Sequence, residues 1–422
     1  MLGKDSSARV IVIGGGVIGL SCAYYLAKEG AHVVLLERER VGAGASSGNA
    51  GTVSAGHPPL NRPGRIRKAL RQMLDPTSPL YIRPRVDPKL WWWLLGFARH
   101  CTEEHVEHCM KVMAPLGKDA LALFDELVRE ERIECNYKSD GYFDVCMTED
   151  GLREARHEAG IIERYEYHPE LVDGDELRRR EPAFGPSLLG GVYYPEAATL
   201  IPGLFVQRLA KAAERCGAEI RQGASVQRVT LDRGRVTGVK IRGESGLLGA
   251  DAVVVATGPL AARLARRSGA RIPVQPGKGY HRDVDIGPNG APALRVACVV
   301  NETSVFCTPM DTFVRFAGTM EFSGANSIMR AARLQQLTAA GKECFPGLGT
   351  ARPISEWCGL RPMSVDGLPI VGPIGGVKGL SVATGHGMLG LTLGPVTGQM
   401  IANLVRGNDE PRLEALAPAR FG

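Results

Sequence analysis

The 422-residue sequence predicts an α/β protein, in which a parallel-sheet domain is interrupted by a second domain built on a mixed or antiparallel sheet. Three observations predict this. Short apolar runs at 10–13, 32–36, 252–256 and 380–383 have the texture of buried parallel strands. A glycine turn directly follows the first of them. Residues 265–350 instead carry short alternating runs, such as 304–307 and 312–316, which suit antiparallel strands.

The opening of the chain justifies the parallel domain. Val10-Ile11-Val12-Ile13 runs into Gly14-Gly15-Gly16-Val17-Ile18-Gly19. Gly14 allows a tight turn, Gly16 lets backbone approach a pyrophosphate, and Gly19 lets helix and strand pack closely. A helix over 21–28 follows, and its N-terminus offers free N–H groups to phosphates. Glu37 ends the second strand, placed to accept hydrogen bonds from ribose hydroxyls. Strand, glycines, helix, strand and acid in this order define a Rossmann-type dinucleotide site. An acid at Glu37 disfavours a 2′-phosphate.

The small-residue loop 42–54 brings Ser46, Asn49 and Thr52 close to that site and suits a larger ligand such as a flavin. Residues 105–135 read as helix and 151–181 as a charged surface helix. Another helix spans 204–216, and 226–241 reads as a hairpin turning at 232–235. Strands 252–256 and 380–383 end in small turns, Ala256-Thr257-Gly258 and Thr384-Gly385. Their carboxyl ends should face the cofactor.

Composition narrows the function. Fifty-one basic against 45 acidic residues give a net charge of +6, too balanced for nucleic acid as main partner. The ten cysteines form no C-x-x-C pair, and His105 and His108 lack a completing ligand set, so no metal site is expected. The polar start and the thiol pattern read as a cytoplasmic protein with reduced cysteines, and no run is long enough to span a bilayer. Arg62, Arg65, Arg67, Lys68 and Arg71 precede Trp91-Trp92-Trp93. This segment reads first as a basic turn before a core helix whose tryptophans pack on the sheet. Peripheral contact with the inner face of an anionic membrane is the other reading.

Two late segments carry the sharpest chemistry. Arg361 lies in the apolar, Gly/Pro-rich 357–372 and wants a carboxylate or phosphate partner, either a ligand or a protein acid such as Asp366. Residues 384–393 are expected to open a helix at Leu389, whose N–H groups could stabilise negative charge on a reduced flavin.

With these residues in hand, the chain resembles the FAD-dependent D-amino acid oxidase superfamily, and within it the bacterial D-amino acid dehydrogenases. The resemblance covers nearly the whole length. It rests on residues 10–38, the SSGNAG loop, the tryptophan segment, Pro276-Gly277-Lys278-Gly279-Tyr280, GLRPMSVDGLPIVG and TGHGMLGLTL. It implies two domains: an FAD-binding domain from 1–80, 185–265 and 350–422, and a substrate domain from 81–184 and 266–349.

The resemblance also implies noncovalent FAD at Gly14, Gly16, Val17, Ile18, Gly19, Glu37 and Arg38. Ala45, Ser46, Asn49, Ala50, Gly51 and Thr52 would line the flavin side. Val226, Ala256, Thr257, Gly258, Arg361 and the run His386, Gly387, Met388, Leu389, Gly390, Leu391, Thr392 would complete the cofactor site. Arg361 would clamp the substrate carboxylate, with Tyr280 as a second hydrogen bond and Phe306 and Met388 lining the pocket. Met388 stands where related glycine oxidases carry arginine, Phe306 where a phenol would sit, and His281 where dehydrogenases often carry serine.

The implied reaction is oxidation of a D-amino acid to a 2-oxo acid and ammonia, with electrons passing to a quinone or other non-oxygen acceptor. Glycine, sarcosine and cyclic amines such as D-proline or D-hydroxyproline are alternative substrates. A flavin-carrying subunit of an electron-transfer complex is the alternative of another class.

Overall fold

The structure is a computed structural model that describes residues 8–54, 56–72, 78–265, 268–286, 294–348 and 351–422, apart from the side chains at 68, 71 and 72. Lys68 and Arg71 of the expected basic cluster therefore lie outside the described side chains. Among the described residues two large sheets dominate, of six and nine strands. The six-stranded sheet runs Ile370–Pro373, Leu380–Thr384, Ala252–Val255, Arg9–Ile13, His32–Leu36, Glu219–Arg221, and only its first strand is antiparallel. Its strands are apolar throughout because both faces are covered. Val10, Val12, Val33 and Leu35 pack into one core, which takes in the helices Val17–Lys28, Pro202–Arg215 and Gly394–Arg406. Ile11, Ile13, Val34 and Leu36 pack into the other, beneath the hairpin of Val226–Asp232 and Arg235–Ile241. Each such side chain contributes ~1.5–3 kcal/mol by burial.

The nine-stranded sheet runs Pro353–Ser364, Val274–Asp285, Phe313–Phe322, Val305–Met310, Ala297–Val300, Tyr142–Cys146, Gly190–Tyr194, Glu170–Asp173, with Leu80–Ile82 beside Phe313–Phe322. It is mixed: most pairs are antiparallel, while Ala297–Val300 with Tyr142–Cys146 and Leu80–Ile82 with Phe313–Phe322 are parallel. Gly190–Tyr194 and Pro353–Ser364 belong to this sheet, so the division between sheets does not coincide with the expected boundaries at 185 and 350. Twelve residues of Pro353–Ser364 are needed to match the long strand Val274–Asp285, and that pairing carries Arg361 across to the second sheet.

Three local expectations need correction. The segment 151–181 is not one surface helix: Glu170–Asp173 is a strand between the helices Glu149–Glu163 and Gly174–Arg180. The last helix starts at Gly394, with Pro395 in its first turn, and 387–393 form turns before it. Of the three tryptophans only Trp93 packs inward, at 7% exposure, while Trp91 and Trp92 stand 59% and 71% exposed. On the helix Pro88–Arg99, three consecutive residues span most of a turn and cannot share one face.

Candidate active site

The two sheets enclose a cavity of about 1410 Å³. Ligand pockets commonly measure ~300–1,000 Å³, so this one has room for a dinucleotide and a second molecule. One end is the glycine turn. Gly14 has φ +112°, and a Cβ there would stand 2.5 Å from the Ala256 carbonyl oxygen. A Cβ on Gly19 would stand 1.9 Å from the Gly14 carbonyl oxygen. The turn therefore closes only with bare backbone. Glu37 braces it, accepting from Gly15 N at 2.7 Å and from Glu39 N at 2.9 Å. The helix Val17–Lys28 has no local side-chain cap, and Ser46 supplies one from the next loop, accepting from Val17 N at 2.9 Å.

Gly14, Gly16, Val17, Ile18, Glu37 and Arg38 line this end of the cavity, and so does Val226 from the hairpin. Ala45, Ser46, Asn49, Ala50 and Thr52 line the adjoining wall, with Ala256, Thr257 and Gly258 at the carboxyl end of the neighbouring strand. His386, Gly387, Met388, Leu389, Gly390, Leu391 and Thr392 close it from the last turn. Gly19 does not line the cavity; its part is the close packing of helix on strand. Gly51 also faces away, where a Cβ would meet the Leu200 carbonyl and Met310.

Several polar atoms along these walls are buried and lack a hydrogen-bond partner among the described residues: Thr52 Oγ1, Thr257 Oγ1 and His386 Nδ1. The other ring nitrogen of His386 meets Thr397 Oγ1 at 3.0 Å, and burial pushes its pKa down to about 3. It is a neutral imidazole facing the cavity. Buried polar groups of this kind ask for a polar ligand. Together with the bare-backbone turn and the acid at Glu37, they fit FAD.

Arg361 sits at the second sheet. Its Nη1 donates to the Thr319 carbonyl at 2.6 Å, and it makes no salt bridge with a described residue. Asp366 is already taken, by Arg420 at 2.8 Å, so the expectation that it might satisfy Arg361 is excluded. Burial without a counter-ion pushes the guanidinium pKa down to about 10. Gly279 makes the space: a Cβ there would stand 2.3 Å from the Arg361 guanidinium carbon. Phe306 and Met388 line the same cavity.

Tyr280 does not. It is buried on the opposite face of the sheet, where its hydroxyl donates to Glu321 at 2.8 Å. Successive residues of a strand point to opposite faces, and Gly279 takes the cavity side. The expected substrate hydrogen bond from Tyr280 is therefore corrected to a structural one.

Sequence reasoning missed the group that holds the loop. Arg315 grips Asp283 with two hydrogen bonds, of 2.8 and 2.9 Å. Its Nη1 reaches over to the carbonyls of Ser47 and Asn49, at 3.2 and 2.9 Å. His281 meets the Gly48 carbonyl at 3.0 Å and stacks on Trp357. Burial and the nearby Arg315 push the pKa of His281 down to about 4. The loop read from its composition as a small-residue ligand wall is thus pinned to the second sheet by a buried ion pair. Only the alternation of Thr312-Phe313-Val314-Arg315-Phe316, with an arginine between apolar residues, hinted at it.

A bare-backbone phosphate turn, buried unpaired polar atoms and a lone guanidinium around one cavity define a flavin-dependent oxidoreductase. The profile of the FAD dependent oxidoreductase family (DAO) matches residues 9–404, and the chain belongs to that family. It is 35% identical over 421 residues to the D-amino acid dehydrogenase of Methylobacterium nodulans, covering 98% of this chain and 99% of that protein. It is 31% identical over 423 residues to D-amino acid dehydrogenase 1 of Mesorhizobium japonicum, again over 98% and 99%. Among solved structures, glycine oxidase from Bacillus cereus superposes with a TM-score of 0.77 at 23% identity, covering 97% of this chain and 98% of that one. Glycine oxidase from Geobacillus kaustophilus gives 0.76 at 25% identity, over 96% of each chain.

Proposed function

We propose that the protein is an FAD-dependent D-amino acid dehydrogenase, oxidising D-amino acids to imino acids that water converts to 2-oxo acids and ammonia. The observation that carries this reading is Arg361, a cavity-lining guanidinium that makes no salt bridge with a described residue. Bound FAD supplies a two-electron acceptor for the hydride leaving Cα. Arg361 binds the substrate carboxylate through two parallel hydrogen bonds and thereby orients Cα. Phe306 and Met388 give the pocket apolar walls that exclude water. A substrate amine that arrives neutral needs no general base from the protein. The glycine turn, Glu37, Thr52, Thr257 and the run His386–Thr392 would hold the cofactor.

The test is an anaerobic absorbance spectrum of the yellow protein with D-alanine and D-proline, then the L-forms, glycine and sarcosine. Bleaching by D-forms alone is expected. Bleaching by glycine or sarcosine would move the assignment to an amine oxidase of the same fold. Readmitted air should restore the colour slowly and a soluble quinone quickly, since the proposed acceptor is a quinone or another molecule than oxygen.

The quinone also suits the cavity's surroundings. Among the described residues no helix is long and apolar enough to cross a membrane. Yet Ile66 and Leu70, 40% and 62% exposed on the basic helix Arg65–Gln72, line the cavity, and the exposed Trp91 and Trp92 lie on the helix that carries its lining residues Leu94 and Phe97. Exposed tryptophans beside basic residues suit a peripheral contact with an anionic membrane. Sedimentation with phosphatidylglycerol vesicles, lost in Trp91→Ser/Trp92→Ser, is the expected result; equal sedimentation of that variant would remove this contact.

A further inference from the structure

The same cavity extends past Phe306 to Asp144, and we propose that this end of it holds a cationic side chain: the preferred substrates are D-amino acids with a long side chain ending in an ammonium or guanidinium group, received by Asp144. The proposal rests on the D-amino acid reading above and concerns the far end of the same substrate.

One face of the nine-stranded sheet forms the cavity floor. Ala317 pairs with Phe306, Phe306 with Val299, and Val299 with Asp144. Residues directly opposite on neighbouring strands share a face, and all four line the cavity. The floor therefore runs through three apolar side chains to a carboxyl group. Arg361 reaches the carbonyl of Thr319, on the same strand as Ala317. Three inter-strand steps separate that strand from the one carrying Asp144, on the order of 14 Å. A ligand with its carboxylate on Arg361 and a hydrogen-bonded group on Asp144 must have the length of lysine or arginine. Its methylene stem would lie on Phe306 and Val299.

Asp144 is 6% exposed. Its Oδ2 accepts from Asn301 Nδ2 at 3.0 Å, and its Oδ1 has no partner among the described residues. Oε2 of Glu302, also a cavity residue, is in the same state. Among the described residues the other charged side chains at this end are Glu154, Glu158, Arg62 and Arg65, with Arg62 paired to Glu158 at 2.6 Å. Burial, followed by the nearby Glu158, holds the Asp144 carboxyl well above the usual carboxylate range. A ligand cation donating to Oδ1 would give that atom a partner and favour the ionised carboxylate.

The test compares kcat/KM for D-arginine against D-citrulline, and for D-lysine against D-norleucine, in the holoenzyme with a soluble quinone. Each pair changes the charge at nearly constant size. The cationic member should win by at least about tenfold, and the ratio should fall to about twofold or less in an Asp144→Asn variant that retains the flavin spectrum. Equal values within both pairs for the unaltered protein overturn the proposal, as does an undiminished ratio in the flavin-loaded variant. Should the variant lose its flavin, the ratios of the unaltered protein decide alone. If no D-amino acid bleaches the flavin at all, the D-amino acid reading fails first.

Discussion

At the six-stranded sheet the cavity wall is mostly backbone. Gly14 and Gly19 leave no room for a Cβ, and Gly16 lines the cavity as bare backbone beside Glu37, Ser46 and Thr257. At the nine-stranded sheet the wall is side chain. Arg361, Ala317, Phe306, Val299 and Asp144 come from five different strands, and each contributes through its own chemistry. The difference teaches how each region fails. The first is broken by adding atoms, the second by removing them.

The largest effect should come from adding one methyl group at the first sheet. Gly19→Ala places a Cβ against the Gly14 carbonyl and should cost at least ~3 kcal/mol. The purified protein should be colourless or unstable, as read by flavin absorbance and thermal midpoint. Retention of both would show that the turn has slack. Removing atoms at the second sheet should leave the flavin in place. Arg361→Ala should lose roughly 3–4 kcal/mol of substrate binding in the transition state, about 10²–10³-fold in kcat/KM, with the visible spectrum unchanged. A colourless Arg361→Ala protein would merge the two regions that the comparison separates.

The join between the sheets should respond to pH. His281 is buried between Gly48 and Trp357 with its pKa lowered to about 4. Below pH 6.5 the unfolded chain takes up a proton that the folded protein refuses. Stability should therefore fall as pH drops from 6.5 to about 4, by up to about 3 kcal/mol from this residue. Denaturant titrations of the holoprotein across that window measure it, and His281→Gln should flatten the slope. A slope unchanged in that variant would assign it to other groups.

The smallest effect belongs to Tyr280→Phe. Its hydroxyl serves Glu321 on the far face, so the loss should be about 1 kcal/mol of stability with kcat/KM within about twofold of the parent. A large loss of turnover at unchanged stability would bring the hydroxyl back to the substrate.

These contrasts follow what could be read in the chain. The glycine turn, Glu37 and the hairpin 226–241 were legible because neighbours in sequence build them. Arg361 was legible as a guanidinium among apolar residues, which is a local signal too. Tyr280 was misread because its face depends on which register Val274–Asp285 adopts against Pro353–Ser364. The tryptophans were misread because hydrophobicity does not say which side of a helix meets the core. Arg315 and Asp283, 32 residues apart, carried no sign that they would grip each other and hold Ser47 and Asn49.

The nucleotide end follows from the chain order alone: a strand, a bare-backbone turn and an acid within a few dozen residues, where steric limits on each φ and each Cβ act locally. The sequence also marked Arg361 as a guanidinium that wants a carboxylate or phosphate partner. Tertiary packing left it without a carboxylate among the described residues, gave Asp366 to Arg420, and brought Asp144 onto the same floor. The physical reason is that charge pairing and burial depend on distance in space, and in this sheet that distance is set by strand order rather than by position along the chain.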